Sequence, residues 1–517
     1  MESERRRFLS GWTSHAILFL AFLLAVVVHR AATQSITCDE ALTDQWFVST
    51  PWRELTRWFD ANNHVLFTLL SKVSTQVLGT SEITLRLPSV LAALAYFAAV
   101  FVLSREVCGD GLAFVAAVAA LSLNPFVLDY LCAARGYGLA LACLMWGLAL
   151  MAWALGGRHR RAGRARVLAA ASIALGLSVT ASLAFAFVII GLGLAALGLL
   201  LADGRRGHIP RGELPTAVLA LTLPGPSVAT LILVPFLVHA PRNTFYAGHD
   251  SWREAARDVA AAWLFHDRSE GLGAMEAFAF RGALVGGAFV AAILASALTA
   301  SSLMRAVRGP RPGPDRPGNG EALLVLVVGS LVVALALHAA GHRFLGLLYP
   351  HARGALWVIP LTTLALVLGV SRAPAGGLTG AARWIGAALI SGLVFAYLYQ
   401  FQTSVFRDYS YDAGSRAIFE RIRAARAGSK PASLVVAAWP FQCPSFEFYQ
   451  RTRAAGWTVS CRGTAWPDDG GWDVRLLRPE DLAMGWPRGA DEMFRDAASG
   501  TIVLARGAQR EGGDPTR

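Results

Sequence analysis

The chain reads as a mostly α-helical, polytopic membrane bundle of about eleven spans that ends in a small extracytoplasmic α/β domain. Three observations predict this. With 55% hydrophobic and only 16% charged residues over 517 positions, the chain is too apolar for a soluble globular protein. Its arginines gather between long uncharged runs, at positions 5 to 7, Arg158 to Arg166, Arg205 to Arg211 and Arg305 to Arg316. Finally, the composition changes near Val405 from continuous apolar runs to short alternating segments.

The spans follow in order: Ala16–Val28, Ser89–Leu103, Leu112–Leu128, Leu139–Leu155, Val167–Thr180, Ala184–Leu201, Thr216–Val238, Ala279–Leu303, Ala322–Ala340, Ala355–Val370 and Ile385–Phe401. Ala16–Val28 follows a basic tip as a signal peptide would, but no small-residue cleavage pattern follows it, so a retained first helix is expected. His64–Leu78 is short and carries Ser71, Lys72, Ser74, Thr75 and Gln76. Counting it as a span would put the Arg158–Arg166 and Arg305–Arg316 loops outside. Laying it on the outer surface as an amphipathic helix puts every Arg-rich loop inside, as membrane topology prefers. The N-terminus is then cytoplasmic. The loop Ser35–His64, the segment Asp129–Tyr137, the loops Ala240–Glu276 and Gly341–Arg353, and everything after Gln402 are outside. The net charge of +12 is explained by this topology and not by nucleic acid, because the basic residues form no single patch. The resulting division is a transmembrane domain over 1–404 and an extracytoplasmic domain over 405–517.

In the C-terminal region Ser415–Ala427 and Ser445–Ala455 have helical spacing, while Ser433–Ala438, Trp457–Cys461 and Thr501–Ala505 read as strands. This order predicts a small α/β unit with a parallel sheet. It contains no phosphate-binding glycine fingerprint. Cys443 and Cys461 could pair, contributing ~3 kcal/mol, or could remain two thiols near strand ends. The six cysteines include no CxxC and give no metal signature. Within Ala240–Glu276, Trp252–Trp263 is predicted to be an amphipathic surface helix, either a mobile lid or plain packing.

An acid pair follows the first span at Asp39-Glu40. Behind it come NNHVLFTLLSKVSTQVLGTSEITLRLPSVLAAL, then LDYLCAARGYGLAL, and later LLYPHARGALWVIPL at 347–361. In order and spacing these stretches resemble the GT-C membrane glycosyltransferases, and most closely the branch that is similar to protein O-mannosyltransferases and lipid A aminoarabinose transferases. The resemblance covers roughly residues 15 to 400. It implies transfer of a sugar from a polyprenyl-phosphate carrier to a hydroxyl outside a bacterial cytoplasmic membrane. The donor sugar would be mannose, an arabinose or other pentose, or galacturonic acid, and the acceptor a protein, a cell-envelope glycan or a glycolipid. Relatives often carry an acid or Gln shortly before the Arg-x-Tyr. Here those positions are Cys132 and Ala133, with Asp129 the nearby substitute.

Such a transfer needs a base for the acceptor hydroxyl and cations for the departing phosphate. Asp39 or Glu40 would be the base. Thr37-x-x-Glu40 also fits a capping box, which competes for Glu40. The candidate substrate-binding residues are His64, Arg86, Arg135, Tyr137, Tyr349 and Arg353, with His351 a further cation and Arg135 and Arg353 preferred for bidentate phosphate binding. Arg86 and Arg135 could instead be interfacial anchors. Tyr137, Tyr349, Trp46, Trp52 and Trp58 could be belt aromatics. No cofactor is called for, although Asp39, Glu40 and Asp129 are of the type a divalent cation uses. Competing readings are a lipid-linked glycan ligase or polymerase and a lipid-sugar flippase. The flippase would carry ionisable residues or broken helices in mid-span, and these spans have almost none.

Overall fold

A computed structural model describes residues 11–156, 163–241, 247–264, 319–373, 377–425, 433–453, 458–463, 471–484 and 490–506. The expected span Ala279–Leu303, the basic tip and the basic stretch Arg305–Arg316 lie outside these residues, as do positions 158–162 of another basic cluster. The protein is mostly α-helical and polytopic. Among the described residues eight helices are long and apolar enough to cross a membrane, or nine if one bent pair counts as a single span.

The elements in order are α1 Gly11–Thr33, α2 Cys38–Thr43, α3 Val65–Leu78, α4 Glu82–Cys108, α5 Leu112–Ser122, α6 Pro125–Cys132, α7 Gly136–Leu155 and α8 Arg164–Ala181. After them come α9 Ala186–Arg205, α10 Leu214–Thr222, α11 Pro224–Leu237, α12 Trp252–Leu264, α13 Asn319–Leu345, α14 Val358–Arg372, α15 Gly377–Tyr399 and α16 Ser415–Ala425. The last stretch holds β1 Ser433–Ala438, α17 Cys443–Arg453, β2 Thr458–Gly463, β3 Val474–Leu477, β4 Ala490–Arg495 and β5 Ile502–Arg506. Two compact units divide the chain. The first takes in Met1–Val28, Trp52–Leu70 and Arg86–Gln402, and the second His29–Pro51, Ser71–Leu85 and Thr403–Arg517.

In the first unit, helices pack through small residues, as expected where lipid offers no hydrophobic drive between helices. Gly176 and Gly225 meet so closely that a Cβ on Gly176 would lie 2.3 Å from the Gly225 carbonyl oxygen. The Gly225 N–H donates to Ser172 Oγ at 2.8 Å, locking α8 to α11. The expected span Leu112–Leu128 is corrected: the chain bends by 62° between α5 and α6. Pro125 has no amide proton to continue the helix, and Asn124 starts a new one by accepting the Val127 N–H at 3.0 Å.

Helix α3 has 14 residues, which gives about 21 Å against the ~30 Å of a bilayer core. Its polar side is the buried one. Thr68, Ser71, Lys72 and Thr75 are enclosed, while Leu70, Val73, Val77 and Leu78 are exposed.

The second unit contains a five-stranded sheet of order β2-β1-β3-β5-β4. The expected parallel sheet is found in three of the strands, and the sheet as a whole is mixed. β1 runs parallel to β2 and β3, whereas β5 is antiparallel to both β3 and β4. The tight turn between β4 and β5 enforces this. Asp496 Oδ2 accepts the N–H groups of Ala498 and Ser499 at 3.0 and 2.7 Å, and Gly500 takes φ +70°. Ala437, Trp472, Leu477, Ile502 and Leu504 form a core cluster in this unit. Cys443 and Cys461 are joined as a disulfide with Cα atoms 5.3 Å apart, tying the start of α17 to β2. Closing this loop is worth ~3 kcal/mol.

Two of the six cysteines should therefore resist alkylation until reduced. Cys443→Ser should lower the stability of the second unit by about 2–4 kcal/mol, read as a lower urea midpoint for loss of its structure.

Candidate functional site

The acid pair lies in the second unit on α2, a six-residue helix whose first turn holds both carboxylates. The two are put to different uses. Thr37 is extended and caps the helix, its Oγ1 accepting the Glu40 N–H at 3.3 Å while Glu40 Oε2 accepts the Thr37 N–H at 2.8 Å. Both halves of the capping box are present and Glu40 is fully buried. Asp39 is half-buried, and its Oδ2 accepts the Tyr409 hydroxyl at 2.8 Å.

The strand of chain that leads into α2 is sewn to the segment after the last span. Arg30 Nη2 donates to the Val405 carbonyl at 3.0 Å, Gln34 Nε2 to that of Thr403 at 3.0 Å, and Ser35 Oγ to that of Ala413 at 2.8 Å. The Ile36 N–H reaches the Tyr449 hydroxyl at 2.8 Å. The Cys38 N–H donates to Asp412 Oδ2 at 2.7 Å, and Asp412 Oδ1 accepts from Ser445 and Ser415 at 2.9 and 3.1 Å. These donors favour the Asp412 carboxylate, but burial, reinforced by the nearby Glu40 charge, pushes its pKa up to about 8. After α2, Asp44 pairs with Arg451 at 2.8 Å, and Lys72 Nζ donates to the carbonyls of Val48, at 2.7 Å, and Thr50. Glu82 pairs with Arg453 at 3.1 Å.

The other candidates belong to the first unit. Arg135 is 1% exposed at the N-terminal boundary of α7, and its guanidinium donates to the Asn62 side-chain oxygen. It also lies 6.0 Å from the Tyr137 ring centroid. His64 Nδ1 is 3.0 Å from the Ala181 carbonyl, and the imidazole meets Tyr137 edge-on at 4.6 Å. This approach needs Gly136, since a Cβ there would sit 2.0 Å from the Ala181 oxygen and 2.7 Å from His64 Cβ. The fold thus brings His64, Arg135 and Tyr137 together. Arg86 is fully buried in protein, so it is not an anchor reaching for lipid headgroups.

Tyr349 and Arg353 lie on the loop before α14. The turn Ala352–Ala355 meets the α8–α9 junction, where Gly354 approaches Ala184. This is the junction whose Ala181 holds His64, so one structural corner supports both groups. Arg353 Nε donates to His351 Nε2 at 3.0 Å, and burial together with that guanidinium pushes the His351 pKa down, leaving the imidazole neutral. Helix α12, the expected surface helix, is fastened to this loop. His249 and Tyr349 exchange two backbone hydrogen bonds of 2.8 and 2.9 Å. Asp258 Oδ2 accepts from the Ala352 N–H at 2.7 Å and faces His249 Nε2 at 3.1 Å. Among the described residues no three His, Cys, Asp or Glu side chains converge to hold a metal ion.

Several residues of these groups carried no signal in the sequence. Tyr409, Asp412, Asn62, His249 and Asp258 act across long sequence separations, and only the NNH and Arg-Gly-Tyr stretches marked their surroundings.

These features define a multi-pass α-helical membrane protein with a small disulfide-bonded α/β unit and an acid pair tied to that unit. Solved structures similar to it include ArnT from Cupriavidus metallidurans bound to undecaprenyl phosphate, at 14% identity and TM-score 0.38 over 97% of this chain and 100% of that one. Arabinofuranosyltransferase AftD from Mycobacteria is similar at 14% identity and TM-score 0.46, with 97% of this chain and 40% of that one covered. For arabinosyltransferase EmbB from Mycobacterium smegmatis the values are 14% and 0.38, with coverage of 92% and 44%. All three are GT-C membrane glycosyltransferases. No protein-family model matches the chain, and no curated protein matches it in sequence.

Two outcomes are expected from this geometry. Gly136→Ala should destabilise the first unit by about 1–3 kcal/mol, measured as a lower melting temperature in detergent. Asp412 is pushed from 3.8 to about 8, so between those values the folded chain keeps a proton that the unfolded chain has lost. Its contribution to stability is full below about pH 4 and is lost as the pH rises through about 8. Asp412→Asn should therefore flatten the fall in melting temperature seen from acid to alkaline pH.

Proposed function

We propose that this protein is a membrane glycosyltransferase that moves a sugar from a polyprenyl-phosphate donor to an acceptor hydroxyl on the outer side of a bacterial cytoplasmic membrane. The division of labour within the acid pair carries the reading. Glu40 is consumed by its capping box, while Asp39 is half-buried and its carboxylate accepts the Tyr409 hydroxyl. Asp39 is thus the member suited to act as a general base. It takes the acceptor O–H proton as the acceptor oxygen bonds to the anomeric carbon. The bond from that carbon to the phosphate oxygen breaks, and its electron pair leaves with the polyprenyl phosphate. Arg135 and Arg353 balance the phosphate charge, with His64, Tyr137 and Tyr349 contacting the substrate beside them. Arg86, buried like Arg135, is a further candidate cation for the substrate phosphate. The order and spacing of the sequence motifs support the same chemistry. The Cys443–Cys461 bond suits an oxidising compartment and so supports the outward placement of the second unit.

The assay is transfer from a labelled polyprenyl-phosphate sugar in membranes, with protein level matched. Asp39→Asn should lose about 10²- to 10⁴-fold in rate, as expected when a general base is removed. Arg353→Ala should lose about 10²-fold, and Glu40→Gln should lose activity partly, together with stability. Full activity of Asp39→Asn at normal protein level would remove the base assignment.

A further inference from the structure

We infer that Tyr409, supplied by the segment after the last span, is a positioning residue whose hydroxyl sets the orientation of the Asp39 carboxylate for proton transfer. This rests on Asp39 being the base. The Tyr409 ring is buried at 5% exposure, and its hydroxyl donates to Asp39 Oδ2 at 2.8 Å. Tyr409 sits in the 3₁₀ turn Arg407–Asp412 but departs from helical geometry, at φ −129° and ψ 37°, so the turn is kinked at this residue. Three residues on, Asp412 accepts the N–H of Cys38, the first residue of α2. One short turn therefore holds α2 twice, Asp412 by its backbone and Tyr409 by the side chain of the acid itself. Ser415 and Ser445 fix Asp412 in turn.

The chemistry of this contact is specific. A hydroxyl donating to a carboxylate forms a charge-assisted bond, stronger and more directional than a neutral one. The terminal torsion of an aspartate is broad and roughly two-fold, so a hydrogen bond to one named oxygen favours one orientation of the carboxylate. Fixing one oxygen decides which face of the carboxylate meets the acceptor hydroxyl, and small errors in such geometry are costly in rate. The C-terminal segment then belongs to the reaction apparatus.

The test uses the full chain in proteoliposomes with a labelled polyprenyl-phosphate pentose, following release of polyprenyl phosphate. Tyr409→Phe keeps the ring and removes only the hydroxyl. The expected result is a kcat lowered about 10- to 100-fold with KM for the lipid donor within about twofold and an unchanged melting temperature. Tyr411→Phe, whose ring packs edge-on against Trp439 at 4.9 Å, serves as the neighbouring control and should behave as wild type. A Tyr409→Phe kcat within about twofold of wild type overturns the inference. A loss that comes with a lowered melting temperature or a matching rise in KM also overturns it, because that is the mark of a purely structural tyrosine. Asp39→Asn separates the two readings. If it is fully active, the base assignment itself has failed. If it is inactive while Tyr409→Phe is not impaired, the base stands and the positioning role does not.

Discussion

The second unit depends on a buried carboxyl group, Asp412, that accepts the amide proton of Cys38. A six-residue helix has too few internal hydrogen bonds to persist alone. Helix α2 exists because its N-terminus is satisfied from two sides, by the Thr37–Glu40 capping box and by Asp412. Asp412 is itself held by two serines on α16 and α17. The acid pair is thus built into the unit that contains the sheet, although some 370 residues of chain separate them. Burial of Asp412 makes its ionisation unfavourable, although the three donors that meet it favour the carboxylate.

The helical unit is organised by the opposite means, close approach of backbones and not polar anchoring. Gly136, Gly176 and Gly225 each occupy places where a methyl group would overlap a neighbouring carbonyl. At Gly136 this closeness has a chemical consequence, because it sets His64 against both Ala181 and Tyr137. The bend at Asn124-Pro125 serves a related end, stopping a helix short and starting α6, which leads through Asp129 to Arg135. Two asparagines do make polar ties here: Asn62 accepts from Arg135, and Asn124 Nδ2 donates to the Trp263 carbonyl.

The same amino-acid types play different parts in the two units. In the later part of α3, Leu70, Val73, Val77 and Leu78 are exposed while Ser71, Lys72, Ser74 and Thr75 are buried. The burial of its polar residues has protein partners to account for it: Lys72 donates to the Val48 and Thr50 carbonyls and Ser71 to that of Leu85. Helix α12 is surface-like in sequence, yet His249 and Asp258 bind it to the Tyr349–Arg353 loop. Its attachment is polar and confined to a few groups, unlike the glycine contacts of the bundle.

Much of the fold was legible because the membrane imposes a simple rule: apolar runs of sufficient length become helices, and each expected span within the described residues falls on one helix or on two successive ones, with ends that differ by up to about eight residues. The capping box at Thr37 and Glu40 was legible for a similar reason, being a local pattern over four residues. Strands β1, β2 and β5 could be read from their apolar runs. β3 and β4 could not, since one is four residues long with a central Arg475 and the other is mostly polar, ADEMFR. The antiparallel half of the sheet followed from the Asp496–Gly500 turn, which no periodicity announces. What the sequence by itself determined were features that a local pattern of apolar residues or a capping motif marks: most spans, the Thr37–Glu40 cap and three strand runs. Only the tertiary structure decided that Asp39 is held by Tyr409 and that His64 meets Tyr137. These are contacts between residues tens to hundreds of positions apart, and their partners are selected by packing, on which local composition carries no mark.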